Sequence, residues 1–414
     1  MGEPRAGSPP RAPWLHSPAV RSPRLLLSVL LTIAVLGSVP AAASARVPQG
    51  FVGMMADGPL LSRQVNLPRQ LDSMVASGVE SLRVVFNWAG AEPYASWSDV
   101  PAAQRHRFTD VGNMPIDFAA MDGIVGPAAQ RGLSIMPVIL FAPQWAAAPG
   151  GLPGSYAVPA SGATYGTFAA ALARRYGPHG TYWRSHPRTR AVPIRLWQIW
   201  NEPNLTLYWP AATFPAGYVD LVHAAHDAIR KVDPGAKIVL AGMPNDSWNI
   251  LPKIYAVPGA SRYFDVVAVH PFTKYPAGVI TILQLVREAM NQAGDTRKPI
   301  IASEVSFPSS VGKTAPSQLF GFETTEAGQA NNLRALIPLL AGARNRLHLL
   351  GFYHYNWIGR EHRGDKSFSF AGLLRLTGRR LVAKPAFAAF RTAALAVEGC
   401  RVKSSLATRC AKRR

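Results

Sequence analysis

The chain is poor in acid. Of its 414 residues only 23 are aspartate or glutamate, against 44 lysines and arginines, and the formal net charge is +21. A carboxylate inside an apolar run is therefore informative wherever it occurs. Cysteine is scarcer still: Cys400 and Cys410 are the whole complement. Two residues cannot make a disulfide-dense scaffold, and nothing beside them could complete a metal site. No glycine-rich nucleotide fingerprint follows any strand candidate. No aromatic-basic motif of a nucleic-acid module accompanies the positive charge, so no nucleic-acid partner is expected. The charge is spread along the chain, which suits an exported protein or one that adheres to anionic cell-surface polymers.

What is present reads as a folded body. Apolar residues make up 48% and charged residues 16%, and the length allows one large α/β barrel or two domains. Residues 1–45 read as a leader. Arg21 and Arg24 precede the apolar run Leu25–Leu36, and Pro40 and Ala43-Ser44-Ala45 follow as a cleavage pattern. Residues 25–45 are also long enough for one membrane span. Pro40 and the small-residue tail favour cleavage, and either reading puts the body outside the cytoplasm, secreted or membrane-anchored. Residues 46–399 read as one folded domain, and 400–414 as a basic tail. An oxidising compartment lets Cys400 and Cys410 close a small loop there, expected outside the barrel and cheap to reduce.

Eight short, continuous apolar runs begin at Phe51, Ser81, Leu133, Ile194, Lys237, Phe264, Pro299 and Leu349. Such runs are how strands buried on both faces of a parallel sheet read. Helical patterns lie between them at 67–78, 117–131, 164–176, 218–232, 278–293, 324–346 and 385–398, several stopped by glycine. Strands alternating with helices predict a (β/α)8 barrel, with a doubly wound sheet as the alternative. Two long loops, 88–116 and 142–163, would lie on its catalytic face. His223 and His226, three apart on one helix, read as solvated or partly packed and not as metal ligands.

In a barrel the functional residues occupy the strand ends. Those positions hold Arg83, Asn201 and Glu202, His270, Glu304 and Trp357. Glu202 follows the strand "IRLWQIW" within "WNEPN", where Pro203 and Asn204 end the run. Glu304 closes "PIIASEV". A buried charge at a strand end is expensive unless the site uses it. Two glutamates on separate strands suit glycoside cleavage, where one carboxyl protonates the leaving oxygen and the other meets the anomeric carbon. Arg83 would keep Glu304 ionised, while Glu202 among Trp197, Trp200 and Trp209 would hold its proton longer. Trp88, Trp145, Tyr208 and Trp209 lie on or near the catalytic-face loops and could stack on sugar rings.

On "WNEPN", "PIIASEVSFPS", "FDVVAVHP", "YHYNW" and "KPAFAAF", most of residues 50–395 resembles the retaining β-glycosidases of glycoside hydrolase clan A, particularly families 5 and 39. The resemblance implies that Glu202 is the acid/base, Glu304 the nucleophile, and Asn201 a donor to the sugar 2-hydroxyl. It further implies that Arg83 and His270 orient and tune the carboxylates and that Trp357 is the platform under the reacting sugar. It implies no cofactor and no metal, and a polysaccharide or oligosaccharide as substrate; a monomer is expected. Two places depart from the pattern. Phe272 stands where such enzymes commonly carry a tyrosine beside the nucleophile, the nearest hydroxyl being Tyr275. No histidine lies near 141–145, which points away from the family 5 cellulases. The alternatives are a catalytically silent carbohydrate-binding barrel and a surface-adhesion protein.

Overall fold

The computed structural model describes residues 46–149, 156–244 and 246–412. The expected leader, 1–45, lies outside them. The main sheet has nine parallel segments, and the two at its ends, Lys237–Val239 and Met243–Pro244, are consecutive in sequence. The first pairs with Leu196–Ile199 and the second with Val267–His270, and Val239 bridges to Val266. They are one interrupted strand, and it closes the sheet into a barrel of eight.

In chain order these strands are β1 (Val52–Ala56), β2 (Ser81–Asn87), β3 (Ser134–Leu140), β4 (Leu196–Ile199), β5 (Lys237–Val239 with Met243–Pro244), β6 (Val267–His270), β7 (Ile300–Val305) and β8 (Leu349–His354). A helix follows each: α1 (Leu67–Ala76), α2 (Ala119–Gln130), α3 (Gly162–Tyr176), α4 (Ala216–Val232), α5 (Ser247–Tyr255), α6 (Pro276–Gln292), α7 (Glu326–Leu347) and α8 (Pro385–Val397). The starts follow local chemistry. Asn66 accepts a hydrogen bond from the Arg69 amide to cap α1, and Thr325 does the same from Gly328 for α7. All eight expected strands and seven helices are present, with ends that move by one to three residues. The eighth helix, α5, is short and holds Pro252, which hides its periodicity.

Alternate strand residues face inward. Met136, Val239, Val266, Ala268, Ile301 and Tyr353 form an inner apolar cluster. Arg83, Gln198, His270 and Glu304 gather above it toward the mouth at the carboxyl ends of the strands. Outward-facing residues such as Val84, Phe86 and Ile139 join the helices in one larger core. None of the described helices is long and apolar enough to cross a membrane.

The expected Cys400–Cys410 bridge is present, with Cα atoms 5.4 Å apart, and the segment it closes packs against the rest of the protein. Ala407 is fully buried and its amide donates to the Arg131 carbonyl at 2.8 Å. Lys403 Nζ lies 2.6 Å from Glu80 Oε1, just before β2, and 2.6 Å from Glu398 Oε2. All three side chains are buried. Removing the shared cation strands two buried carboxylates, so Lys403→Met should destabilise the protein by about 3–5 kcal/mol. Chemical denaturation of the two proteins measures it, and a change under about 1 kcal/mol would mean the tail carries no such weight.

Candidate active site

The mouth of the barrel encloses a cavity of about 450 Å³, with Glu202, Glu304, Arg83 and Asn201 in its wall. Glu202 stands just past β4 in a left-handed conformation, φ 42°, two residues after Trp200 at φ 69°. Side chains seldom adopt this region without compensation. Here the Trp200 indole donates to the Tyr208 carbonyl at 2.9 Å, and the Glu202 amide donates to the Gly242 carbonyl at 3.1 Å. Glu304 reaches the mouth from β7, whose pairing with β8 shifts register between Ala302 and Val305. Such an irregularity re-aims a side chain.

Arg83 ties the floor together. Its Nη1 donates to Glu304 Oε1, its Nη2 to Asn201 Oδ1 at 2.7 Å, and its Nε to Gln198 Oε1 at 2.6 Å. Gln198 is fully buried on β4 and passes the chain of bonds to the Leu240 carbonyl. His270 sits behind the wall, fully buried, with Nδ1 2.7 Å from Glu202 Oε1 and Nε2 3.8 Å from Glu304 Oε1. The ring is accommodated because Gly242 has no side chain: a Cβ there would lie 2.0 Å from His270 Nε2.

Burial separates the charge states. It raises the Glu202 pKa to about 7, against the opposing pull of Arg83. Desolvation likewise pushes His270 down to about 3, although Glu304 pulls the other way. The imidazole is therefore neutral at physiological pH; it hydrogen-bonds Glu202 and stands between the two carboxylates, with Nε2 too far from Glu304 for a hydrogen bond. Glu202, His270 and Glu304 each bring a ligand atom within 4.8 Å of the others, a spacing that could hold an ion. The Arg83 guanidinium already occupies one side of Glu304 and supplies a fixed positive charge.

Five residues expected at the sugar do not line the cavity. Trp357 is fully buried; its indole donates to Gln70 Oε1 at 3.0 Å and packs against Phe387. Tyr355, two residues earlier, takes the wall position instead. Trp88 stacks on Phe168 and donates to Glu92 Oε2 at 2.8 Å, while Trp145 donates to the Glu92 carbonyl at 2.9 Å. Glu92 thus fastens both indoles away from the cavity. Trp209 donates to Thr213 Oγ1 and packs on Trp200 and Tyr218. Tyr275, expected as the hydroxyl beside the nucleophile, is 62% exposed just before α6.

Other aromatic residues line the cavity. Tyr208 and Tyr355 both line the cavity, and burial together with neighbouring carboxylates, Glu304 among them, raises both phenols well above their ordinary pKa. They stay protonated and can donate. Tyr355 donates to Asp57 Oδ2 at 3.2 Å, at the end of β1. One aromatic wall is Phe141, Tyr156 and Tyr208, with adjacent ring centres 4.7 and 5.1 Å apart. The other is Phe272 and Phe368, 4.9 Å apart, backed by Phe320 and Phe322. Asp57 could have been read from the sequence as the acid closing the first strand. Tyr355, in the same "YHYNW" stretch as Trp357, is the aromatic of that motif that lines the cavity. His223 and His226 each contact Asp227 on their own helix, and His223 stacks on Tyr263.

No protein-family model matches this chain, and no curated protein does. Solved structures do. A family 39 glycoside hydrolase from Bacteroides cellulosilyticus WH2 is 17% identical with a TM-score of 0.58, over 85% of this chain and 64% of that one. A monomeric β-xylosidase from Caulobacter crescentus CB15 is 16% identical with a TM-score of 0.57, over 84% and 68%. A GH53 catalytic domain from Ignisphaera aggregans is 19% identical with a TM-score of 0.54, over 86% and 98%. This chain therefore spans just under two thirds of the length of the first. At these identities the likeness establishes a shared fold, the (β/α)8 barrel.

Proposed function

We propose that the protein is a retaining glycoside hydrolase that cleaves β-O-glycosidic bonds of oligosaccharides or polysaccharides. The observation that carries this reading is the pair of carboxylates at the ends of β4 and β7, with oxygens within 4.8 Å of each other. Retaining enzymes hold their two carboxyl groups about 5–5.5 Å apart, whereas inverting ones leave about 6.5–9.5 Å for a water. A nearest-oxygen spacing within 4.8 Å supports the shorter, retaining separation for Glu202 and Glu304.

In this mechanism Glu304 attacks the anomeric carbon as the glycosidic bond breaks, and Glu202 gives its proton to the departing oxygen. Water then enters where the aglycone left. Glu202 takes its proton, and the hydroxide displaces Glu304 from the sugar, restoring both carboxyl groups. Arg83 holds the nucleophile in place through its ion pair, and Asn201, tethered through Oδ1 to Arg83, presents its amide to the sugar 2-hydroxyl. Burial gives Glu202 a proton to donate near neutral pH, as a general acid requires. The silent-barrel alternative would be favoured by loss of a carboxylate or of the phenols beside Glu304. Both glutamates are here, and Tyr208 and Tyr355 stand in for the tyrosine absent at Phe272.

The leader pattern of residues 1–45 and the bridged tail support work outside the cytoplasm. The direct test is a panel of nitrophenyl β-glycosides of neutral sugars. At least one should be hydrolysed, and failure of every member, together with unchanged xylan, glucan and mannan, would leave the silent barrel as the better account.

A further inference from the structure

A second cavity, of about 580 Å³, opens over the end of β2. It shares Leu61, Val85 and Asn87 with the cavity that holds the glutamates. The two make one groove, running outward from the mouth between the β1–α1 loop and the first turns of α2. Its walls include the aliphatic side chains of Leu67, Met121 and Ile124, with the Arg107–Asp117 ion pair, 2.8 Å long, among its polar groups. Bond cleavage needs none of these residues. Each cavity alone is of ligand-binding size, about 300–1,000 Å³, and joined they exceed what a monosaccharide with a small leaving group fills.

We propose that this groove binds further units of the substrate chain, so that the preferred substrate is a neutral oligosaccharide or polysaccharide and not a short glycoside. The inference rests on the glycosidase reading above. A sugar ring offers C–H faces to aliphatic walls and hydroxyls to polar groups, and the groove has both. Charge argues for neutral units. Among the described lining residues the cations are Arg83 and Arg107, each already facing a carboxylate, while Asp57 adds another negative charge. A uronic acid would find repulsion and no free partner.

Gly123 gives the test. It lies in α2 on the groove wall, and a Cβ there would meet nothing within 4 Å. Gly123→Phe therefore fills the groove without a backbone clash, and losing a helical glycine favours the helix. Gly123→Leu provides a smaller obstruction, and thermal melting checks that both variants are folded. The measurement is kcat/KM for neutral oligosaccharides from disaccharide to hexasaccharide, with a nitrophenyl β-glycoside alongside. In the wild type it should rise with length on the order of tenfold, and Gly123→Phe should abolish that rise while leaving the nitrophenyl substrate unchanged. Length-independent cleavage by the wild type, or a rise that survives the phenylalanine, overturns the proposal. If nothing is cleaved, the glycosidase reading fails instead. Calorimetric binding of the same series then tests the groove alone: affinity should grow with length in the wild type only, and no growth overturns it.

Discussion

Glu304→Ala is expected to stop turnover on every glycoside. On the proposed assignment the variant removes the atom that bonds to the anomeric carbon and Glu202 is the proton donor, while Asp57 is held by the Tyr355 hydroxyl and the Gly58 amide, 2.7 Å from its Oδ1. Losses at a nucleophile run to about five or six decades, or ~7–8 kcal/mol of barrier. The cavity left by alanine should admit azide, which can attack from the same side. Added azide should then restore activity on an activated substrate and yield a glycosyl azide of inverted configuration. The fold should survive, because Arg83 keeps its bonds to Asn201 and Gln198. Residual activity within tenfold of wild type, or no rescue at any azide concentration, counts against Glu304.

Glu202→Ala should behave differently, because a proton donor matters only as much as the leaving group needs it. On unactivated oligosaccharides the loss should be about 10²–10⁴-fold, the usual contribution of a general acid. On a dinitrophenyl glycoside the first step should be nearly spared, and the glycosyl-enzyme should accumulate because its hydrolysis has lost its base. The pH profile separates the roles further. The acid must carry its proton, so wild-type activity should fall as pH rises through about 7, the pKa that burial gives Glu202. Alanine should remove that fall on the activated substrate. Equal losses on both substrates with the alkaline fall intact would mean that another group donates the proton.

The fold was legible because its signal is repetitive. Eight apolar runs carry β-branched and aromatic residues at a regular spacing, and one hidden helix does not change the count. The two glutamates and Arg83 were legible for a related reason: a charge in so apolar a strand has few other uses. Aromatic roles were not. Trp88, Trp145, Trp209 and Trp357 are apolar residues with one polar atom, and sequence cannot say whether that atom finds a partner in the protein. Here each indole has one, Glu92 for the first two, then Thr213 and Gln70. With their donors satisfied they pack in the scaffold, and the cavity walls fall to phenylalanines and tyrosines brought from distant loops. Gln198 was invisible for the opposite reason. Its value lies in Arg83 on β2, two strands away, and in the Leu240 carbonyl, contacts that exist only once the barrel forms.

The most direct measurement is the anomeric configuration of the first product, followed by proton magnetic resonance from the moment enzyme meets a β-glycoside. Two displacements on one carbon, by Glu304 and then by water, restore the starting configuration. The β-anomer should therefore appear first and mutarotate afterwards to the equilibrium mixture. An α-anomer appearing first would mean a single displacement by water, and would contradict the assignment of Glu304 as nucleophile.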